Sequence, residues 1–250
     1  MRKVLLFGLL LISALLMAAC SGGGPGSGNI QGSGNIVSET REVPAYNQID
    51  VIGTGNLNLT ITSPPNLTIT ADDNVMQYIS TEVIGTSLQI RLNAPEGGSV
   101  APSQPISYAV SIPFLRVITA SGNATVTTDV ATIPSDFDVQ VSDDAQVTLT
   151  NFEADSITIT AVGNSQVTLS GSTSDFSATL EGSARMEGGD MEVALADITT
   201  RGSAQATIWV TENIDAFVYD NSIVNYYGEP SGVNPQADQS AQFNALGPKQ

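Results

Sequence analysis

From Phe137 to Tyr226, apolar and polar residues alternate on both sides of a bend that returns about every twenty residues. The bends fall at Gly122, Asp143, Gly163, Gly182, Gly202 and Asp220, at intervals of 21, 20, 19, 20 and 18. Two residues after each bend stands a small side chain: Ala124, Ala145, Ser165, Ala184, Ala204, Ser222. Four after come Val126, Val147, Val167, Met186, Ala206 and Val224, and six after come Thr128, Leu149, Leu169, Gly188, Ile208 and Tyr226. Before the bends run Phe137-Val139-Val141, Ile157-Ile159-Ala161, Phe176-Ala178-Leu180, Ala196-Ile198-Thr200 and Ile214-Ala216-Val218. Alternation on either side of a bend means two strands per repeat, each with one face inward. One such unit cannot bury its own apolar face, so it must stack on its neighbours. The pattern predicts an all-β chain: a right-handed parallel β-solenoid (β-helix) of about twenty residues per turn. Its expected extent is roughly nine turns and about 45 Å, at 4.8 Å per turn.

The first thirty-six residues read differently. Met1-Arg2-Lys3 is a basic start, Val4 to Leu16 an apolar run, and Met17-Ala18-Ala19 a small-residue approach to Cys20. That order is a secretory leader, and the run is too short to span a membrane. Cys20 is the only cysteine, and an unpaired thiol in an exported chain needs an explanation. Its position resembles that of a bacterial lipoprotein signal, which implies cleavage before Cys20 and acylation of its thiol, with the protein held on the outer membrane or the outer face of the cell membrane. Residues 1–19 are then leader and 20–36 a lipidated Cys with a Gly/Ser linker that behaves as flexible coil. The solenoid domain is expected over 37–230, irregular to about 115 and regular over 116–228, with 231–250 as a terminal cap or tail.

Composition narrows the chemistry. Without Arg2 and Lys3 the chain keeps 6 basic against 25 acidic side chains, a net of −19. Nucleic acid and acidic surfaces repel such a chain, so no nucleic-acid partner is expected. The chain has no histidine. Histidine-based triads and the usual zinc sites are thereby excluded. Lys249 is the only lysine beyond the leader, and no phosphate-binding loop or dinucleotide fingerprint is present. No cofactor and no metal site are expected.

The stretch ahead of the repeats is also strand and turn: 41–51 leads into Gly53-Thr54-Gly55-Asn56-Leu57-Asn58-Leu59, then Ile69 to Val75, Ile79 to Val83 and Leu88-Gln89-Ile90. This order, from about residue 38 to 230 and including Tyr226-Tyr227-Gly228-Glu229-Pro230, resembles the bacterial family called putative auto-transporter adhesin, head GIN domain. The family usually has Phe where this chain has Tyr46. The resemblance implies a β-solenoid on an exported protein.

Stacking equivalent residues at coil spacing produces outward columns. Gln146, Gln166, Arg185 and Gln205 form one; Thr148, Thr168 and Thr207, with Glu187 among them, form a second. These rows suit a flat binding face for a glycan or an envelope protein, or they serve only to stabilise the stack. Asp197 and Asp215 fall on adjacent rungs, at the spacing of a retaining glycosidase pair or of a cation site. The alternatives are a register slip at the shortest interval, or splaying into solvent. Glu181 and Arg201 are placed to form a surface ion pair. Trp209, Phe217, Tyr219, Tyr226 and Tyr227 crowd the end and are expected to cap the last coil, with a sugar-stacking platform as the other use. Residues 240–247 read as one last strand. The favoured function is a non-catalytic, lipid-anchored envelope protein displaying a rigid solenoid for adhesion or binding. The alternatives are a polysaccharide-acting hydrolase using the Asp pair and a purely structural envelope spacer.

Overall fold

The computed structural model describes residues 28–129 and 136–249. The expected leader, Cys20 and residues 21–27 of the expected linker lie outside the described residues; the rest of that linker, 28–36, is not free coil, because β1 pairs with β7 and Gly34 is bonded to Asp72. The chain forms β1 (Ile30–Gln31), β2 (Ile36–Arg41), β3 (Gln48–Ile61) and β4 (Asn66–Asp72), then a short 3-10 turn and the hairpin β5 (Ile79–Ile84) and β6 (Ser87–Leu92). β7 (Val100–Ala101) and β8 (Ser107–Ile112) complete the irregular part. The coils follow as β9 (Val117–Asp129), β10 (Asp136–Val141), β11 (Gln146–Gly163), β12 (Gln166–Gly182), β13 (Arg185–Thr200), β14 (Gln205–Val218) and β15 (Ile223–Tyr227). β16 (Gly232–Ala237) and β17 (Gln242–Gly247) make the last rung. The final strand expected over 240–247 is therefore present.

The solenoid and its repeat are as the periodicity predicts. Strands cover 69% of the chain, stacked as parallel coils. Val147 pairs with Val167, Val167 with Met186, Met186 with Ala206, and Ala206 with Val224. The small residues two past each bend, from Ala124 to Ser222, are all fully buried. They are small because the chain turns sharply there and the core is narrow. Along β11 the inward alternation slips at Thr150-Asn151 and again at Asp155-Ser156. Two successive outward residues mark a corner, so this coil has two long sides joined by a short one.

The stack has about six turns, fewer than the roughly nine expected from rung spacing. The physical reason lies in the first third, where strands reverse instead of coiling. Next to β3 on one side, β8 runs parallel, then β4 and β2 run antiparallel. Along the first arm of β3, residues 48–52, β6 runs parallel to it and β5 antiparallel to β6, while β9 pairs with the opposite edge of β3 along both arms. This cap ends the parallel stack with charged and hydroxyl side chains: Ser38 meets Thr70, Thr40 meets Thr68, and Arg41 bonds Glu39 and the carbonyl of Ile79.

The bends need a left-handed residue. Where glycine does not supply it, Asp143 (φ 61°) and Asp220 (φ 60°) do. Asp and Asn tolerate this conformation because their short side chains bond nearby backbone. Here each carboxylate reaches the coil before it, accepting from the N–H of Gly122 at 3.0 Å and of Gly202 at 2.9 Å. Tyr46, where the resembled family usually has Phe, is buried, and its hydroxyl has no hydrogen-bond partner among the described residues. Burial pushes its pKa up to about 12.

One corner leaves no room for a side chain. Gly171 has φ 131°, and a Cβ there would stand 1.9 Å from the Phe152 carbonyl oxygen. Gly171→Ala should destabilise the fold by about 2–4 kcal/mol, the sum of left-handed strain and backbone displacement. Thermal unfolding checks this, and an unchanged midpoint would mean the corner can open without cost.

A second prediction concerns the cap. The Asp72 carboxylate is sealed from solvent and accepts from the N–H groups of Gly34 (2.7 Å) and Ser103 (2.9 Å) and from the Ser103 hydroxyl. The Ser103 hydroxyl, chiefly, holds its pKa below the usual value; burial opposes this, and the backbone N–H groups of Ser103 and Gly34 reinforce it. A depressed carboxylate stabilises the fold above its unfolded pKa of about 3.9 and loses that contribution as pH falls through the folded value. Protection factors of the amides at residues 32–34, 101 and 103, corrected for the intrinsic rate at each pH, should therefore fall on acidification before those of the coils do. Protection that stays level until the coils themselves open would show that Asp72 is not the pin.

Candidate binding face and carboxylate groove

Every long strand of the regular coils contributes one rung to each of two flat sides. The side after the bend carries the predicted columns in register. Gln146 pairs with Gln166, Gln166 with Arg185, and Arg185 with Gln205. Thr148 pairs with Thr168, Thr168 with Glu187, and Glu187 with Thr207. Gln146, Gln166, Thr168, Arg185 and Glu187 are exposed, and Thr148, Gln205 and Thr207 half-exposed. The described cap strands pair with β3 and with one another, adding rungs to the end of the stack. The columns continue with Thr125 and Asn56 toward the cap, and with Asn225 and Asn244 toward the other end. The Asn244 amide donates to the Asn225 side-chain oxygen at 3.0 Å.

Two aromatic residues expected in the terminal cap extend this side instead. Trp209 and Tyr227 are paired neighbours facing outward, both half-exposed. They stand seven residues after their bends, the same outward parity as the Gln and Thr columns, and that offset was the available signal. Tyr227 lies back over Gly189, whose missing Cβ would be 3.3 Å from the ring, and Lys249 sits 4.9 Å from the ring centre while pairing with Asp190 at 2.7 Å. The expected aromatic cap thus reduces to Tyr226, whose ring stacks on Phe243 at 5.1 Å. Phe217 and Tyr219 face outward on the opposite side. The expected Glu181–Arg201 ion pair is replaced by a different contact: the Arg201 guanidinium lies 4.3 Å from the centre of the Tyr219 ring.

On the side before the bend, Asp197 and Asp215 pair directly in register. The short interval is absorbed elsewhere, by shifts between Gly188 and Glu192 and between Val193 and Leu195, so a slip at this column does not occur. The column runs Thr158, Ser177, Asp197, Asp215, Asn234. Two amides relieve the like-charge contact: Asn213 donates to one Asp215 oxygen at 3.0 Å and Asn234 to the other at 2.9 Å. Asp175, Asp197, Asp215 and Ser177, with the exposed Leu195, line an open groove of about 300 Å³. Among the described residues no three or more Asp, Glu, Cys or His side chains converge so as to hold a metal ion.

A parallel β-solenoid with uncovered polar ladders on its flat side defines the class of protein. The chain belongs to the family described as "Putative auto-transporter adhesin, head GIN domain", whose model matches residues 45–230. Among solved structures it is similar to a "putative adhesin" from Bacteroides fragilis, with 19% identity and a TM-score of 0.79 over 87% of this chain and 100% of that one. It is also similar to a "putative adhesin" from Parabacteroides distasonis, with 20% identity and a TM-score of 0.69 over 87% and 100%. A "Putative lipid binding protein" from the same species matches at 16% identity and a TM-score of 0.66, over 87% and 99%. At these identities the likeness is one of fold. No curated protein matches the sequence.

The carboxylate column generates a prediction. Like charges on adjacent rungs oppose each other, while an amide beside a carboxylate extends the ladder. Asp197→Asn should raise stability by about 0.5 kcal/mol, read as a higher denaturation midpoint. A lower midpoint would mean that the Asp197 charge is engaged by a cation or a donor.

Proposed function

We propose that this protein is a non-catalytic surface module that binds a neutral glycan or an envelope protein on the polar side after the bend, tethered by lipid on Cys20. The observation that supports it most is the open ladder of Gln146, Gln166, Arg185 and Gln205 beside Thr148, Thr168 and Thr207, continuous with the half-exposed Trp209 ring. Amide and hydroxyl rows at a fixed pitch of about 4.8 Å offer repeated donors and acceptors without net charge. An aromatic face beside them offers the apolar contact that a sugar ring needs. The adhesin description of the family fits a binding role at a cell surface or on an exported protein. The net charge of −17 argues against nucleic acid.

A polysaccharide-acting hydrolase is the second reading, and one observation favours it: Asp197 and Asp215 are in register beside a groove. Against it, both Asp215 oxygens are held by amides, one from Asn213 on the same strand and one from Asn234 on the next rung. Turnover of a polysaccharide that disappears in Asp197→Asn would establish this reading in place of the first.

The test of the binding reading is a glycan array and an envelope-protein binding screen with the parent and the variant Gln166→Ala/Gln205→Ala/Trp209→Ala. These are surface positions, and each polar change should move stability by no more than about 0.5 kcal/mol. Binding should fall tenfold or more. A parent that binds nothing, or a variant that binds as well, leaves a structural spacer. Cys20→Ser should release the protein from membranes or leave the precursor uncut, and unchanged membrane partitioning would remove the lipid tether from the proposal.

A further inference from the structure

The two ends of the solenoid are built differently, and only one is closed. At the entry end the stack finishes in antiparallel strands, and its edge strand β2 carries Glu39 and Arg41. Charged residues on an edge strand block pairing with another chain. At the far end, among the described residues, β17 pairs only with β15 and β16 only with β14, so each leaves one edge of backbone N–H and C=O groups with no described strand on it. Neither strand carries a charged side chain: β16 reads GVNPQA and β17 reads QFNALG. In β16, Pro235 removes a donor and protects the edge. β17 has no such device. Its rung is also poorly covered. Val233 is 39% exposed and Leu246 45%, whereas Ile214, Ala216 and Val224 one rung deeper are at 0%.

We propose that the β17 edge is an interface for a second copy of this chain, joined end to end about a twofold axis. Three features select a copy over another protein. First, the edge is self-complementary. With Asn244 on the axis, antiparallel pairing sets Phe243 opposite Ala245 of the second copy, a large side chain against a small one on the core side. On the outer side it sets the two Asn244 amides side by side. Each Asn244 already donates one N–H to Asn225, and its second N–H and its oxygen remain to be exchanged with its twin. Second, a chain with a net charge of −17 tolerates a copy of itself only at a neutral contact, and the last two strands are that contact. Third, the closed entry end prevents head-to-tail growth, so the assembly stops at two, as an isologous contact does. The chain enters at the capped end, where Asp72 ties residues 34 and 103 to β4, so the β17 edge is remote from any N-terminal tether. The inference does not depend on which ligand the polar side takes.

The test is sedimentation velocity on the purified full chain, in mild detergent where its leader requires it, over a concentration series. The parent should sediment as an elongated particle of twice the chain mass at the upper concentrations. Asn244→Lys places two ammonium groups against each other on the axis, so it should be monomeric at every concentration; at dilutions where the parent is itself monomeric the two should share a thermal midpoint to within a few degrees, because the side chain is exposed. An equimolar mixture of Asn244→Lys and Asn244→Asp should recover the dimer, which a fold defect would not do. Thr40→Lys at the opposite end should leave the dimer intact. A parent that remains monomeric at its highest soluble concentration overturns the proposal. So does a dimer indifferent to Asn244→Lys, or one broken by Thr40→Lys.

Discussion

The hydrogen-bond ladder between successive coils is the constraint on which the rest of this structure depends. A coil of about twenty residues has too little apolar surface to fold alone, so each turn's inward row is buried only because the turns above and below are in register. That register has to be restored after every bend. The bend residue takes the left-handed conformation in every regular turn, as glycine or as Asp143 and Asp220. The next residue donates its N–H to the bend carbonyl of the coil before, as Asn164 does to Asp143 and Ser203 to Gly182, both at 2.7 Å. A tight corner also leaves no room beneath it for a large side chain. Hence the column of Ala and Ser two positions on, and the narrowness of the core follows from the same fact.

Because the ladder is periodic, most of it could be read in the sequence. Period two on each arm and a period near twenty between arms define which residues point inward and which are neighbours across coils. Val167, Phe176 and Ile198 are buried where that arithmetic puts them. The same arithmetic brings Gln146, Gln166, Arg185 and Gln205 together over a span of sixty residues. Periodicity carries no information where it stops, and the errors are found there. The first third has strand composition without a period, so its reversal into antiparallel pairs was invisible and the turns were overcounted. Corner length is equally silent. Three residues lie between Gly188 and Glu192 where none lies between Ile208 and Trp209, and an interval of 18 does not say at which corner the residues are lost. Trp209 and Tyr227 were read as a cluster by proximity in sequence, although their offset from the bend already set them outward.

The two flat sides use the ladder for different ends. After the bend, neutral amides and hydroxyls repeat with one Arg and one Glu among them, and such rows are stable whether or not a ligand is present. Before the bend, Asp197 and Asp215 form the one step of the column that a ladder does not favour. The chain meets it with flanking amides from Asn213 and Asn234, a structural solution that a column of identical side chains would not need. Side-chain geometry at Asp215 is therefore explained by stacking. The polar side after the bend is sufficient for stacking and has, in addition, an outward indole beside it that stacking does not require.

Edges are what a parallel ladder cannot dispose of by itself, since every rung needs another. A solenoid must end in a reversal, a covering segment or a partner. The entry end uses reversal, and its chemistry is that of a finished edge: hydroxyl pairs, an Arg41 held by two backbone carbonyls and Thr81, and a buried Asp72 clamping the incoming chain. At the far end β17 keeps the same amide and apolar alternation as the interior rungs. Tyr226 is already stacked on Phe243 as though the core continued. A strand whose outer column is Gln and Asn, whose inner column is Phe and Ala, and whose free edge has no charge or proline is chemically one more interior rung. The asymmetry between the two ends thus follows from the rule that builds the coils, applied once with a terminator and once without.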